Sequence, residues 1–425
     1  MSILIFLLTL LGALAVGAPV ALALMISGAA LMLQLDNFDA QIVASNMVNG
    51  VDNFIFLAVP FFILAGELMN VGGLSKRIVS MAIVLVGHLR GGLGYVVIVA
   101  SVLMASLSGS AIADSAAMAA LLLPMMKSAG YEEGRSAGLV AAGGIIAPII
   151  PPSIGLIMYG VVANVSITKL FIAGIVPGLL MGTVLAAMWW WLNRDTKLHV
   201  SSRASAKEVW RALGTGFWAL MMPVIIVGGL RFGIFTPTES AVVAVAYALF
   251  VGAYIYKELT LKSVYMCLVS ASRTTAVVMF IVGAAFVSAW MITIANLPAQ
   301  LGSLLGTISD QPMVLMALMM AITIVVGTAL DFTPMVLILT PIMVPVAKAA
   351  GIDTVYFGVL FIMCVAIGLL TPPVGNVINV VASVSKLRFE KVVRGVGPFL
   401  LAEVFVVVLL VLFPELVLTP LEWLY

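Results

Sequence analysis

Apolar runs recur along the whole chain, and the polar positions between them fall in short intervals. Residues 2–33 hold two apolar spans joined at Gly17-Ala-Pro19, then a polar interval with Asp36 and Asp39 and an amphipathic piece at 40–50. A span at 53–70 carries Glu67 near its end. An amphipathic stretch at 73–89, with Lys76, Arg77 and His88, fits the membrane interface. An uninterrupted apolar segment (92–128), a proline-broken one (134–165) and a span at 170–192 follow. Trp189-Trp-Trp191 at the end of that span fits an interfacial anchor. After a hydrophilic linker at 193–211 the order repeats: spans at 213–234 and 238–256, an amphipathic piece at 259–272, and a span at 274–295. A connector with Pro298, a long segment (313–350), a broken one (354–385) and a last span (397–413) complete it.

The two long segments fit a bilayer badly. As one helix, about 36 residues rise roughly 54 Å against a hydrocarbon core of about 30 Å, yet two full crossings with a turn would need more chain. Each contains a small, polar, helix-weakening tract near its middle: Ser106-Leu-Ser-Gly-Ser-Ala-Ile-Ala-Asp114 and Gly327-Thr-Ala-Leu-Asp-Phe-Thr-Pro334. This pattern predicts two re-entrant helical hairpins with polar tips. Irregular backbone at membrane depth is tolerated only where it is buried in protein or lines a cavity, so the tips are candidate binding sites. Each hairpin is followed by a helix that paired prolines must open, through Gly143-Gly-Ile-Ile-Ala-Pro-Ile-Ile-Pro-Pro-Ser-Ile-Gly155 and Ile367-Gly-Leu-Leu-Thr-Pro-Pro-Val-Gly-Asn376.

The halves are related in sequence as well as in pattern. A shift of 221 residues superposes Pro124 on Pro345, Lys127 on Lys348, Gly130 on Gly351, Pro151-Pro152 on Pro372-Pro373, Gly174 on Gly395 and Pro177 on Pro398. Charge then sets orientation. With the hairpins re-entrant, each half crosses five times, and a cytoplasmic linker puts both termini outside. Of 20 lysines and arginines, only Lys169, Arg231 and Lys348 then lie on the outer side, as the positive-inside rule requires. An odd number of crossings makes the repeats inverted, so the two tips converge. The predicted fold is an all-α polytopic membrane protein of two inverted repeats, each with a hairpin and a discontinuous helix, the pattern of secondary transporters.

Composition narrows the chemistry. The chain is 63% hydrophobic and 9% charged, and its basic residues lie in loops rather than on one face, so nucleic acid is not an expected partner. The first charge is Asp36, so the apolar start lacks the basic flank of a cleaved leader. The two cysteines, Cys267 and Cys364, make neither a disulfide framework nor a metal site. No phosphate-binding Gly-x-x-x-x-Gly-Lys-Ser/Thr loop occurs, which excludes ATP binding of that kind. No histidine lies at depth to serve a nucleophile, which disfavours an enzyme.

Among the polar residues at depth, Ser106, Ser108, Ser110, Thr328, Asp331 and Thr333 offer the hard oxygens that coordinate Na⁺. Half-helix N-termini favour anionic substrate groups. Small residues also pack transmembrane helices, and only their matched places in two interrupted repeats favour a functional reading. Asp331 is expected as a cation ligand, because a carboxylate at membrane depth is costly. Asp114 is expected either in the site or as a local helix cap. Glu67, Glu239 and Glu403 are placed near span ends, within reach of headgroups, and are expected in structural roles.

At Gly233-Ile-Phe-Thr-Pro-Thr-Glu-Ser-Ala241 the chain resembles the large membrane subunit of tripartite ATP-independent periplasmic (TRAP) transporters. Pro60-Phe-Phe-Ile-Leu-Ala-Gly-Glu67, Ser108-Gly-Ser-Ala-Ile-Ala-Asp114, Pro151-Pro-Ser153 and Thr371-Pro-Pro-Val-Gly375 support this across nearly the whole length. The resemblance implies an elevator-type importer in a bacterial inner membrane, with both termini periplasmic. The repeats would occupy 1–192 and 212–425 around a cytoplasmic linker at 193–211. Scaffold spans would lie at 1–72 and 212–258, arms within 73–91 and 259–312, hairpins and broken helices at 92–165 and 313–385, and closing spans at 166–192 and 386–425. It implies Na⁺ as coupling ion with no organic cofactor. It also implies a small four-helix membrane subunit as a separate chain, and a periplasmic substrate-binding protein. One Na⁺ site would use Ser106, Ser108 and Ser110 with Pro151, Ser153 and Gly155. The other would use Gly327, Thr328 and Asp331 with Gly368, Thr371 and Gly375. Substrate would meet Ser108, Gly109, Ser110, Thr333 and Asn376. Sialic acid is the leading expected substrate and C4-dicarboxylate the second. A self-sufficient Na⁺/carboxylate symporter, an ion channel and a polytopic enzyme are the other readings.

Overall fold

The computed structural model describes residues 2–194, 203–297, 299–300 and 311–425, and among these the regular structure is entirely helical. The first half holds α1 (Ser2–Ala15), α2 (Val20–Gln34), α3 (Ala40–Val51), α4 (Ala58–Val71), α5 (Leu74–Val86), α6 (Gly92–Ser108), α7 (Ala111–Ser128), α8 (Glu133–Gly144), α9 (Ile154–Ala163) and α10 (Ile167–Asn193). The second holds α11 (Ala206–Arg231), α12 (Pro237–Phe250), α13 (Leu261–Ile294), α14 (Pro312–Gly327), α15 (Phe332–Ala349), α16 (Thr354–Gly368), α17 (Asn376–Ser385), α18 (Phe389–Leu412) and α19 (Glu415–Leu424).

Local chemistry sets the boundaries. Gly233, at φ +67°, follows α11 in a left-handed conformation that suits glycine. Thr236 then caps α12, Pro237 takes its first turn, and Glu239 reaches back to the Thr236 N–H at 2.7 Å. The tract that carries the family resemblance is therefore a helix start, and Glu239 is its cap rather than a headgroup contact. The same box, Ser205 with Glu208, opens α11 at Ala206, so residues 206–211 of the expected linker are helix. Linker residues 195–202, with Lys197 and His199, and the connector's Pro298 lie outside the described residues.

Both hairpins form as pairs of helices, α6–α7 and α14–α15, and both proline-broken helices open, as α8–α9 and α16–α17. The 259–272 piece and the 274–295 span instead fuse into one helix of 34 residues, α13. No glycine or proline stands between Leu261 and Gly283, and a few polar side chains do not break a helix. The expected spans in 2–33 are helices of 14 and 15 residues, roughly 21–23 Å long and shorter than a hydrocarbon core. The 238–256 span is α-helical only to Phe250 and closes with a wider π turn over Val251–Ile255. Eight helices among the described residues are long and apolar enough to cross a membrane.

The helices fall into two packed sets. In the first, α1 lies on α2; α2, α3 and α4 lie along α13; α4 packs on α12 and α5 on α11. In the second, α18 packs along α8 and α14 along α16, while the hairpins exchange partners: α7 lies on α17 and α15 on α9. That exchange is a two-fold relation between the repeats. It puts each hairpin's second arm against the other repeat's discontinuous helix. α16 is apolar all round and buried from Val355 to Gly368, which places it at the centre of its set. Two side chains depart from expectation here. Trp189 is buried, donates from Nε1 to Gly91 O at 2.9 Å and stacks near Tyr131 and Phe399, so it is a core residue and not an interfacial anchor. Glu403 lies within α18 at 0% exposure, with neither carboxyl oxygen partnered, enclosed by protein.

Candidate functional site: the cavity at the hairpin tips

The first tip is tight. α6 ends at Ser108, Gly109 turns the chain at φ +61°, and Ser110 is already the cap of α7, accepting from the Ala113 N–H. A side chain at Gly109 would meet the Pro152 carbonyl oxygen at 2.8 Å, so tip and break are in direct apposition. Ser153 caps α9 and donates to Pro148 O. The second tip runs from Thr328 to Asp331, which caps α15 by accepting from the Phe332 N–H at 2.8 Å. Gly327 abuts Gly368, where an added Cβ would lie 2.9 Å from the Gly368 Cα. The Pro151-Pro152 and Pro372-Pro373 bonds at the two breaks are both cis.

The two tip–break units touch. A Cβ at Gly155 would lie 2.5 Å from Phe332 Cζ; within the second unit, Asn376 Nδ2 donates to Asp331 Oδ1 at 3.2 Å. Helix N-termini of α7, α9, α15 and α17 therefore gather at one place, beside the C-termini of α6, α8, α14 and α16. Unpaired N–H groups attract anions and unpaired carbonyls attract cations.

A cavity of about 530 Å³ opens there, within the size range of small-molecule sites. Ser108, Gly109, Ser110 and Asp114 from the first hairpin line it, with Asp331, Phe332 and Thr333 from the second. The other helix set adds Glu67 and Asn70 of α4, Ser75 of α5 and Thr274 of α13 to its lining. Among the described residues that line it there are three carboxylates and no lysine, arginine or histidine. Asp114 is 3% exposed. It accepts from Ser108 Oγ at 2.5 Å through Oδ1, while Oδ2 has no partner. Ser110 N–H donates to Ser108 Oγ at 3.1 Å, completing a chain of polar contacts round the tip.

A model of the tripartite ATP-independent periplasmic transporter DctM component matches residues 7–416. The chain belongs to that family. It is 54% identical over 423 residues to the 2,3-diketo-L-gulonate TRAP transporter large permease protein YiaN of Escherichia coli (strain K12), with both chains covered in full. It is 41% identical to the sialic acid TRAP transporter large permease protein SiaM of Vibrio cholerae, covering 95% of each. Among solved structures it is similar in fold to the YdaH transporter of Alcanivorax borkumensis, with a TM-score of 0.59, 13% identity and 89% of each chain covered. Family and relatives are transporter permeases, not enzymes.

Within this DctM-type permease the residues singled out from sequence fall into three groups. Ser108, Gly109, Ser110, Asp331 and Thr333 line the cavity. Pro151, Ser153, Gly155, Gly327, Gly368, Thr371 and Gly375 form the buried or half-buried backbone behind it, and Asn376 reaches it through Asp331. Ser106 and Thr328 are turned into their own helices: Ser106 Oγ donates to Leu103 O at 2.7 Å and Thr328 Oγ1 to Val325 O at 2.8 Å. Neither lines the cavity, although each retains lone pairs.

Asp114 belongs to the site, since Ser110 does the capping. Glu67, expected in a structural role near a span end, also lines the cavity. It lies within α4, and Gly66 beside it packs on the first tip, 3.4 Å from the Ser108 Cα to an added Cβ. A glycine next to a carboxylate inside a helix is the signal that pointed there: the glycine admits a close neighbour, and the carboxylate shares its level.

Proposed function

We propose that the chain is the membrane-embedded, substrate-carrying subunit of a Na⁺-driven organic-acid importer. The helix set bearing the tips would move against the other set as an elevator in a bacterial inner membrane. The observation that carries this is the charge of the cavity. An organic anion entering a space walled by three carboxylates and no basic side chain needs cations with it. Helix N-termini alone supply partial charges of about half a unit each. Na⁺ is a hard cation that takes carboxylate, hydroxyl and carbonyl oxygens. The unpartnered Asp114 Oδ2, the Ser108 and Ser110 hydroxyls and the carbonyls about Pro152 fit one such ion. Asp331, with carbonyls at Gly327 and Gly368–Gly375, fits a second.

The small four-helix subunit and the periplasmic binding protein are the partners that family membership supports, and relatives of this length are named for 2,3-diketo-L-gulonate and sialic acid. Both are hydroxylated acids, and an acid of that kind is the substrate we assign. The test is uptake of labelled 2,3-diketo-L-gulonate, sialic acid and succinate into proteoliposomes holding this chain with its small subunit. Inward Na⁺ gradients are compared with K⁺, with and without the binding protein. Uptake that requires Na⁺ and the binding protein is expected. Equal uptake in K⁺ would refute the coupling, and uptake without the binding protein would make the chain part of a self-sufficient symporter.

A further inference from the structure

Glu67 lines the cavity from a helix that carries neither tip nor break, and the cation sites do not account for it. It lies on α4, one turn from Asn70 on the same helix face, and its Oε1 accepts from Ser270 Oγ of α13 at 2.9 Å. Thr274, one turn along α13, lines the same wall. Asp114 and Asp331 are tied to the tips by Ser108, the Phe332 N–H and Asn376. Glu67 instead presents a carboxylate held by a single hydroxyl, on the helix set that does not carry the tips.

A carboxylate can only accept hydrogen bonds. Against a substrate anion it is repulsive unless the substrate brings donors, and an unsubstituted C4-dicarboxylate such as succinate brings none while adding a second negative charge. A polyhydroxylated monocarboxylate has its charge at one end and a row of O–H donors at the other. With the substrate carboxylate at the helix N-termini and cations of the tips, the hydroxyls lie toward α4 and α13. Taking the cavity as the substrate site, as above, we infer that Glu67, oriented by Ser270, accepts hydrogen bonds from the substrate's hydroxyls. The permease itself thereby selects polyhydroxylated monocarboxylic acids over C4-dicarboxylates, independently of the binding protein. A site built to bind a substrate hydroxyl rejects an analogue that lacks it, because the buried partner is left unpaired.

The test reads occupancy directly. A cysteine at Ala113, an exposed position on the cavity wall, is labelled with maleimide in membranes holding this chain and its small subunit. Protection by D-gluconate, D-glucuronate and N-acetylneuraminate is compared with that by succinate and hexanoate, in Na⁺ and in K⁺. At least one polyhydroxylated acid should protect at a concentration tenfold or more below succinate and hexanoate. Glu67→Gln should raise that concentration about tenfold and, by removing the like charge, lower the one succinate needs. Ser270→Ala, which removes only the donor that orients Glu67, should raise it two- to fivefold and guards against misfolding of the first variant. Equal protection by succinate, or an unchanged ranking in both variants, overturns the inference. Hydroxyl-selective protection that is equal in K⁺ supports it while refuting the Na⁺ coupling proposed above.

Discussion

The decisive contacts at the residue scale are few. Ser108 serves two partners, donating to Asp114 and accepting from the Ser110 N–H, so the first tip is a closed polar loop with one free carboxyl oxygen. Asp331 is less enclosed, and its carboxyl joins the second tip to Asn376. Replacing Asp331 with Asn keeps the size and the acceptor oxygen but removes the charge. The Na⁺ concentration for half-maximal uptake should rise about tenfold, equivalent to about 1.4 kcal/mol. Ser108→Ala should raise it less, because backbone carbonyls remain. Uptake titrated against Na⁺, beside a thermal unfolding curve for each variant, measures both. An unchanged Na⁺ response in the doubly substituted protein would reduce both tips to packing elements.

These residues also show how much of the site was legible in the sequence. Ser108, Gly109, Ser110, Asp331 and Thr333, which line the cavity, stand out in the sequence as polar or small residues inside an apolar segment. Asp114 does not resolve there, since spacing alone does not say whether Ser110 or Asp114 caps the helix. Glu67 and Glu403 read as structural residues near span ends. Position within a span does not reveal which helix faces them, and both prove to lie in protein.

Close backbone approach organises the elements. α8 and α18 run together through Gly134, Gly138 and Gly395, and an added Cβ at Gly138 or Gly395 would collide with main-chain atoms of the facing helix. Membrane helices gain little from hydrophobic burial against each other, so close contact between small residues is what holds such a pair. Gly395→Leu must push the helices apart. A loss of about 3 kcal/mol is expected, seen as a lowered unfolding temperature of the purified protein. Gly397→Leu, two residues on with open space about it, is the matched control and should have little effect. The contact is reinforced at its end by Glu133, which binds Lys127 of α7 at 2.6 Å and Lys391 of α18 at 2.5 Å. Partly exposed pairs of this kind add little stability.

For the molecule as a whole, the proposed transport cycle requires one helix set to slide against the other, and the first tip lies on that seam. An added Cβ at Gly66 would stand 3.7 Å from Ser108 Cβ, within the range a disulfide spans. Oxidising a Gly66→Cys/Ser108→Cys variant should therefore stop uptake, and reduction should return it to the level of Ser108→Cys alone. Full uptake in the oxidised, cross-linked protein would show that this seam does not move.

The sequence by itself determined the class, the two-fold repetition and the four interruptions. Bilayer thickness, proline's missing N–H and glycine's missing side chain act locally, so their consequences can be read along the chain. The helix starts at Ala206, inside the stretch expected as linker, and at Pro237 rest on equally local contacts, three residues apart. Tertiary structure alone decided that Trp189 is core and that the hairpins exchange partners between the repeats. It also decided that Glu67 lines the same cavity as the tips. Each of these depends on which surfaces meet, and in a chain apolar on nearly every face the hydrophobic pattern carries no record of that choice.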